Sequence, residues 1–449
     1  MKVIIIGAVA TGLSAAYQVR RHLPEAVVTV LEKQEDISYG ACGFPYFIEG
    51  LIREEKSLIA RDKARVLQDG IDLRTGWEVT AVDVQKKTVT AKVAGEDALQ
   101  QLPYDRLVIA VGGKSKRIAG LAGMKGVFPL NTLQDAREIK AFIETRKPKS
   151  AVVIGGGNKG VELLEALIHR KISARLVEYL PRILGFYDEE VSRLLLERLQ
   201  KEGHALHTGE KVLQGKTDQE GYVTAILTDR GEYPAELVIE TVGVEPNTDF
   251  LEGTGINREK GAIITDLYGR TNVKDVYAGG DCAMIYNALE GRNIYMPLGT
   301  NANKAGKLIG LAIAGIEPGF RGSQVSSMVR CFGYELGRSG VNDDAAAALG
   351  WVTDSVLVRT KNKSSYYPGS QEMYVKLTYL KEDGKLVGAQ VFGPEGTALR
   401  IQGLAVAIYA GLKVQDLEYL DFGYIPPLNS PWDSINVAAG KATAKMKRK

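Results

Sequence analysis

The chain has 449 residues, of which 25% are charged, and a formal net charge of +3. So small a charge, with no interleaving of aromatic and basic residues, argues against a nucleic-acid partner, and no apolar run is long enough to span a bilayer. The length predicts about two to four domains, and three cysteines are more typical of a reducing compartment than of a disulfide framework. We therefore expect a cytoplasmic globular protein with no nucleic-acid, metal or stable membrane partner.

The first predicted elements form a dinucleotide-binding pattern. A strand over 2–6 runs into a glycine turn, a helix follows over 13–23, and a second strand over 27–31 ends in Glu32. Glu32 follows Gly12 at about the 20-residue spacing of this motif. The glycines Gly7 and Gly12 let the backbone approach a pyrophosphate at a helix N-terminus. Val9 replaces the middle glycine of the usual pattern.

Cys42 follows this first pattern, in the segment Ser-Tyr-Gly-Ala-Cys-Gly-Phe-Pro-Tyr over 38–46. A lone cysteine usually packs as a small hydrophobic side chain. Beside a flavin fingerprint and near a helix N-terminus, however, the thiolate form is favoured, so we predict that Cys42 is redox-active. Cys282 and Cys331 lack such a context and are predicted to be structural.

A second copy of the dinucleotide-binding pattern begins with a strand over 151–154. Gly155, Gly157 and Gly160 form a complete G-x-G-x-x-G, and a helix over 161–169 and a strand over 174–177 lead to Glu178. Two such units predict two dinucleotides, a flavin and a nicotinamide.

The remaining elements complete the organisation of the chain. Residues 104–113 form a buried strand and a glycine turn, and the apolar strand within 271–281 ends in Asp281. Beyond 322 the pattern is β-rich, with a helix over 396–409. The final segment, 421–440, is rich in proline and aromatic residues and is predicted to be an ordered lid or interface arm.

Together these motifs resemble the two-dinucleotide-binding flavoprotein disulfide reductases over essentially the whole chain. The resemblance implies an α/β fold with two Rossmann-like dinucleotide-binding domains and a C-terminal α+β dimerisation domain. The FAD-binding domain would be discontinuous, over 1–118 and 245–321. The NAD(P)H-binding domain would occupy 119–244, and the dimerisation domain 322–449.

The cysteine segment is similar to the single-cysteine branch of these reductases, because the C-x-x-x-x-C dithiol is absent. This branch contains coenzyme A disulfide reductases, NADH peroxidases and NADH oxidases. One thiol suffices when the substrate supplies the second sulfur. The resemblance implies a homodimeric, FAD-dependent NAD(P)H reductase of coenzyme A disulfide, or of a coenzyme A persulfide or polysulfide. The alternatives are an NADH oxidase or peroxidase and a non-catalytic redox sensor.

Two features discriminate within this branch. The similar peroxidases and oxidases carry a histidine where this chain has Ala10, and an apolar methyl cannot transfer a proton. The segment 421–433 resembles the terminal motif of coenzyme A reductases, in which a tyrosine reaches the partner subunit's cysteine. The resemblance therefore implies a catalytic set of Cys42, Tyr366 and Tyr424.

The resemblance also implies three sets of binding residues. For FAD these are Gly7, Ala8, Val9, Ala10, Gly12, Glu32, Lys33, Val79, Ala110, Gly112, Asp281 and Leu298. For the nicotinamide nucleotide they are Gly155, Gly157, Gly160, Glu162, Glu178 and Gly243. For coenzyme A they are Ser14, Gln18, Arg21, Ser38 and Lys304. We expect Glu178 to favour NADH, with NADPH possible, because an acid there accepts hydrogen bonds from the ribose hydroxyls.

Overall fold

The computed structural model describes residues 1–448, which form two compact units. The first unit contains Met1–Arg117, Phe128–Lys147 and Val242–Ser323; the second contains Ile118–Val127, Pro148–Thr241 and the described residues from Gln324 onward. The segment 128–147 thus belongs to the first unit. The predicted boundaries of the cofactor domains stay a prediction, because compactness does not show which dinucleotide a unit holds.

The first unit is built on a five-stranded parallel sheet. In spatial order its strands are Val276–Ala278, Arg106–Ile109, Lys2–Ile6, Val27–Glu32 and Asp72–Thr75. The central strands are continuous runs of buried Val, Ile and Leu, as expected of a parallel sheet covered on both faces. Their carboxyl ends meet at one edge, where the first glycine turn lies.

The other elements of the first unit surround this sheet. Its α-helices are Ala10–His22, Phe44–Glu49, Lys63–Gln68, Leu133–Arg146 and Gly299–Ile313, with 3-10 turns at Ala41–Gly43, Glu55–Leu58 and Asp249–Leu251. A separate antiparallel sheet has three strands, Trp77–Asp83, Thr88–Val93 and Leu99–Pro103. The short strands are Gly113–Ser115, Val244–Pro246, Arg258–Glu259, Ala262–Ile263, Ile285–Asn287 and Arg292–Ile294; Val127–Pro129 lies at a unit boundary.

Two glycines let the helix Gly299–Ile313 pack unusually close to the helix Ala10–His22. A Cβ on Gly306 would lie 2.3 Å from the carbonyl oxygen of Thr11, and one on Gly310 would lie 2.7 Å from that of Ala15. Neither distance is sterically possible, so any side chain there would force the helices apart. This packing fixes the N-terminus of the second helix relative to the first glycine turn.

The second unit contains another parallel sheet. Its strands Ala205–Thr208, Ser173–Glu178, Ser150–Ile154 and Leu237–Glu240 lie side by side in that order. The helices Asn158–His169 and Glu189–Lys201 and the turn Ala119–Leu121 accompany it, with an antiparallel sheet of Val212–Thr217, Val223–Thr228 and Glu232–Pro234. The predicted strand, glycine turn, helix and strand of the second pattern are all present.

The C-terminal part of the second unit is an antiparallel sheet flanked by helices. The strands, in spatial order, are Ser327–Cys331, Tyr334–Gly340, Leu386–Gly393, Glu372–Leu380 and Thr353–Lys361. The helices are Asp343–Ala348, Arg400–Ala410, Val414–Glu418 and Ser434–Lys447. Part of the predicted arm is therefore helical from Ser434 onward, where Asp433 caps the helix through a capping box. Over the described residues, no helix is long and apolar enough to cross a membrane.

A buried ion cluster joins the two parts of the second unit. Lys376, on a strand of the C-terminal sheet, is 1% exposed and lies 2.7 Å from Asp188, 2.5 Å from Glu190 and 2.6 Å from Asp343. Asp188 precedes the helix Glu189–Lys201, and Glu190 lies in its first turn. Removing the ammonium group from such a buried cluster costs free energy, because the carboxylates that remain lose their counter-charge.

We therefore expect Lys376→Met to lower the free energy of unfolding by about 3–5 kcal/mol. Urea denaturation of the flavin-loaded protein measures this change. Lys381→Met, at an exposed position beyond the end of the same strand, is the matched control and should change it by less than about 0.5 kcal/mol. Equal stability of the two variants would contradict a structural role for the cluster.

Candidate active site

Cys42 is exposed and lies next to the N-terminus of a long helix. It sits in the 3-10 turn Ala41–Gly43, and its Sγ is 4.0 Å from where a Cβ on Gly299 would stand. Gly299 is the first residue of the 15-residue helix Gly299–Ile313. The unpaired N–H groups and dipole of a helix N-terminus stabilise an anion, so this position favours a thiolate.

The local sequence explains how Cys42 is presented. Pro45 occupies the first turn of the helix Phe44–Glu49, where a missing N–H costs nothing, and Gly50 ends that helix with φ +95°. Phe44, together with three other apolar side chains of the helix, is buried. The short helix is therefore anchored in the core while the preceding turn stays at the surface.

Arg137 holds both flanks of the cysteine segment. Its Nη2 lies 3.1 Å from Asp36 and 2.7 Å from Glu55, and its Nε donates to the second oxygen of Glu55 at 2.8 Å. The guanidinium lowers the pKa of Glu55 through these hydrogen bonds. On the same helix, Leu133–Arg146, the ammonium of Lys140 lies 3.9 Å from the ring centre of Phe47. One helix thus braces the segment before and after Cys42.

Loss of the Arg137 contacts should make the position of the Cys42 thiol less fixed while leaving the thiol itself in place. We expect Arg137→Gln to slow alkylation of Cys42 by iodoacetamide at neutral pH by about 3-fold to 10-fold, because the thiolate loses its fixed place at the helix N-terminus. Peptide mass spectrometry measures the rate, and the flavin absorbance should be retained. Lys147→Gln, an exposed cation at the end of the same helix, is the control. Equal rates for the two variants would show that the brace does not set thiol reactivity.

The first glycine turn has the shape and donors that suit a dinucleotide. A Cβ on Gly7, at φ +105°, would lie 2.2 Å from the carbonyl oxygen of Ala110, and one on Gly12 would lie 1.8 Å from that of Gly7. Glu32 accepts hydrogen bonds from the N–H groups of Ala8 at 2.7 Å and Gln34 at 2.9 Å, while burial raises the pKa of its carboxyl. These contacts bring the acid, the turn and the helix start together, and they fit a pyrophosphate and ribose.

The other residues predicted for FAD are spread around this turn in the first unit. Val9 precedes the helix that Ala10 begins, and Gly112 has open space where a Cβ would stand. Asp281 and Leu298 line one pocket with Lys304. Two residues predicted for FAD have other surroundings in this structure. Val79 is buried on the strand Trp77–Asp83, and the exposed Lys33 forms an ion pair with Glu78 at 2.6 Å.

The second glycine turn repeats this construction. A Cβ on Gly155, at φ +105°, would lie 2.6 Å from the carbonyl oxygen of Thr241, and one on Gly160 would lie 1.9 Å from that of Gly155. Nothing lies within 4 Å of a Cβ on Gly157, which precedes the helix Asn158–His169, so the helix N-terminus has room for a phosphate. The residues present therefore fit a second dinucleotide.

The remaining nicotinamide residues differ in their surroundings. Glu178 accepts hydrogen bonds from the N–H groups of Gly156 and Leu180, as Glu32 does in the first turn. Burial, and then the charge of Glu165, raises the pKa of Glu162 to about 7. Gly243 has φ +101° and belongs to the first compact unit.

The residues predicted for coenzyme A lie on the two packed helices and the cysteine segment. Ser14 donates to Asn303 at 3.4 Å, Gln18 packs where a Cβ on Gly310 would stand, and Arg21 is exposed at a helix end. Ser38 has φ +52° and donates its N–H to Ala8 at 2.9 Å; Lys304 is exposed. The structure thus brings these five residues into one unit with Cys42.

Tyr366 and Tyr424 meet in the second unit, with their hydroxyl oxygens 2.9 Å apart. Tyr424 is also 3.2 Å from the hydroxyl of Ser364. Hydrogen bonding with Ser364 and with Tyr366 lowers the pKa of Tyr424, and the hydrogen bond with Tyr424 raises that of Tyr366. Sequence reasoning paired the two tyrosines but missed Ser364, which carries no motif of its own.

Comparison with known proteins identifies the family. Residues 1–306 match the pyridine nucleotide-disulphide oxidoreductase family, and residues 326–434 match its dimerisation domain. The chain belongs to this family. As a pyridine nucleotide-disulphide oxidoreductase it is an enzyme that uses FAD and NAD(P)H, and the predicted fold of two dinucleotide-binding domains and a dimerisation domain is confirmed.

Three similar proteins show the range of this family. A NAD(P)H coenzyme A polysulfide/persulfide reductase of Pyrococcus horikoshii is 33% identical over 98% of this chain and 97% of its own. An NADH oxidase of Enterococcus faecalis is 30% identical over 99% of this chain and 100% of its own. The structure of a NAD-dependent persulfide reductase from A. fulgidus superposes with a TM-score of 0.94 at 32% identity, over 100% of this chain and 84% of that one.

Proposed function

We propose that this oxidoreductase is a homodimer that reduces coenzyme A disulfide, or a coenzyme A persulfide or polysulfide, through Cys42 alone. The observation that carries the proposal is the exposed Cys42 thiol at the N-terminus of the helix Gly299–Ile313. The other two cysteines are buried, and burial raises the pKa of Cys282 to about 12 and also raises that of Cys331. Neither supplies a second reactive thiol, so the second sulfur comes from the substrate.

The sulfur chemistry follows from this arrangement. The Cys42 thiolate attacks one sulfur of the substrate disulfide, so that a bond forms between Cys42 and that sulfur, the substrate S–S bond breaks, and a thiolate leaves. The leaving thiolate takes a proton and departs as a thiol. When bound, FAD supplies the electron pair from NAD(P)H that cleaves the protein–substrate disulfide.

Coenzyme A recognition is assigned to Ser14, Gln18, Arg21, Ser38 and Lys304. Arg21 and Lys304 are exposed cations on two neighbouring helices and suit the phosphates of coenzyme A. Ser14 and Ser38 offer hydroxyl groups on the same unit as Cys42. The Pyrococcus horikoshii relative, named for coenzyme A polysulfide and persulfide, supports the same substrate class.

The homodimer is supported by the match to a dimerisation domain. In a single subunit, the C-terminal segment also exposes large apolar side chains to solvent, namely Tyr419, Leu420, Ile425, Leu428 and Trp432. Such a concentration of exposed aromatic and aliphatic residues is typical of an interface. In the dimer, Tyr424 and Tyr366 would serve Cys42 of the partner subunit and protonate the leaving thiolate.

An NADH oxidase is the second candidate, because the Enterococcus faecalis relative carries that name. Ala10 begins the first helix, and its methyl group has no proton to donate or accept. The peroxidases and oxidases that this chain resembles use a histidine at this point. Reduction of oxygen or peroxide therefore has less support than reduction of a disulfide. The third alternative, a non-catalytic redox sensor, needs no hydride supply, and the two intact nucleotide-binding turns argue against it.

Replacement of Cys42 tests the proposal. We expect Cys42→Ser to keep bound flavin but to lose at least about 1000-fold in coenzyme A disulfide turnover, because a serine hydroxyl is not ionised at neutral pH. Steady-state NADH consumption with each acceptor offered separately makes the measurement. Cys331→Ala, which removes a buried thiol, is the control and should retain turnover. Disulfide reduction by the Cys42 variant at the wild-type rate would overturn the mechanism.

Glu178 should select NADH over NADPH. Its carboxylate is fixed by two backbone N–H groups, and a 2′-phosphate would meet this charge. The nearby cations have other partners, since Arg182 pairs with Asp344 at 2.5 Å and Arg175 lies 4.5 Å from the ring centre of Tyr233. We expect Glu178→Ala to reduce the ratio of kcat/KM for NADH over NADPH by about 10-fold.

The exposed Glu189, at the start of the next helix, provides a matched control. Glu189→Ala should leave the nucleotide ratio unchanged. A wild-type preference for NADPH, or an unchanged ratio in Glu178→Ala, would show that Glu178 is not the selector.

A further inference from the structure

Three hydroxyl groups form a chain from the surface to the interior of the second unit. The hydroxyl of Tyr366 lies 2.9 Å from that of Tyr424, which lies 3.2 Å from the hydroxyl of Ser364. The Ser364 hydroxyl in turn donates to the backbone carbonyl of Asn429 at 3.1 Å. Tyr366 is 73% exposed, Tyr424 is 44% exposed and Ser364 is 2% exposed.

The backbone carbonyl of Asn429, at the inner end of these hydroxyl groups, determines the donor and acceptor of each hydrogen bond between them. A carbonyl oxygen only accepts, so Ser364 uses its single proton on Asn429. The Ser364 oxygen then accepts from Tyr424, and the Tyr424 oxygen accepts from Tyr366. Each donor is thereby assigned, and the exposed Tyr366 is the end at which a proton enters.

Ser364 is held in place independently of its hydroxyl. Its N–H donates to the carbonyl of Pro426 at 3.0 Å, and its own carbonyl accepts from the N–H of Tyr367 at 2.9 Å. Asn429 is fixed as well, since its side-chain amide donates to Gly423 at 2.7 Å. The loop of Ser364 and the segment of Tyr424 are therefore joined by backbone contacts that survive removal of the Ser364 hydroxyl.

We propose that Ser364 is a positioning residue that holds the Tyr424 hydroxyl for proton transfer to the leaving thiolate, and that Tyr366 returns the proton to Tyr424. The proposal rests on the proposed function. The leaving thiolate takes the proton of Tyr424, and the resulting phenolate takes the proton of Tyr366. Water reprotonates the exposed Tyr366, so the net change is one solvent proton added to one thiolate. While that charge exists, the O–H of Ser364 leaves the carbonyl of Asn429 and donates to the phenolate, which is the stronger acceptor.

This assignment gives the two tyrosines different roles. Tyr424 is assigned as the proton donor to the sulfur, because its phenolate accepts from Tyr366 and, once Ser364 has turned, from Ser364 as well, so its charge is the better stabilised. Within the described chain, Ser364 and Tyr366 are the groups whose hydrogen bonds lower the pKa of Tyr424. Tyr366 keeps its proton until Tyr424 has given up its own.

A double-mutant cycle tests the proposal on the intact flavin-loaded protein. Wild type, Ser364→Ala, Tyr424→Phe and the double variant are compared for turnover of coenzyme A disulfide. We expect Ser364→Ala alone to lower kcat by about 10-fold, which is the size of one hydrogen bond to a charged group. In the Tyr424→Phe background the same change should have an effect below about 2-fold, because Ser364 acts through that hydroxyl. NADH reduction of ferricyanide, which bypasses the sulfur step, should be unchanged.

The control is Ser370→Ala, in the same loop, whose hydroxyl donates to the carbonyl of Lys363 at 3.3 Å. It should leave turnover unchanged. A full 10-fold loss from Ser364→Ala in the Tyr424→Phe background would overturn the proposal, because Ser364 would then act through the loop. Wild-type turnover in Ser364→Ala would overturn it too.

A second measurement separates this proposal from the proposed function. Tyrosinate absorbance during an alkaline titration, taken as the difference between wild type and Tyr424→Phe, follows Tyr424 without any substrate. Ser364→Ala should move that transition up by about one pH unit. If the wild type reduces no coenzyme A substrate, the proposed function fails, and this titration still decides whether Ser364 acts on Tyr424. An unmoved transition would contradict the role given to Ser364.

Discussion

Close packing of the helices Ala10–His22 and Gly299–Ile313 determines where the candidate sulfur site lies. The contact depends on Gly306 and Gly310, at which a Cβ would lie within 3 Å of backbone oxygens of the first helix. Because these helices touch, the N-terminus of the second helix is carried to the cysteine segment. The thiol of Cys42 then lies beside the positive end of the helix dipole, which favours its thiolate form.

A second constraint is the same in both glycine turns. In each, an acid at the end of the second strand accepts hydrogen bonds from backbone N–H groups: Glu32 from Ala8 and Gln34, and Glu178 from Gly156 and Leu180. Each carboxylate is thereby held rigidly beside a helix N-terminus. A fixed acid beside a glycine turn is therefore the same local arrangement in the two units.

Much of this could be predicted from short-range patterns. The apolar runs at 2–6 and 151–154, the spacing of the glycines and the acids Glu32 and Glu178 depend only on neighbouring residues, so their elements were found. The brace by Arg137 was not predicted, because Asp36 and Glu55 lie far from it in sequence and only the fold brings them together. Ser364 was missed because a serine in a polar loop carries no signal, and its role depends on a distant carbonyl. The helix Ser434–Lys447 was hidden by the prolines and aromatic residues that precede it.

The central claim is that Cys42 carries the substrate sulfur, and the mixed disulfide itself is its most direct test. Oxidised, flavin-loaded protein incubated with coenzyme A disulfide and then freed of excess reagent can be weighed intact and mapped by peptide mass spectrometry. We predict one coenzyme A adduct per chain, on the peptide that contains Cys42, and its release on addition of NADH. An adduct on another residue, or turnover with no adduct on Cys42 at any stage, would contradict the account.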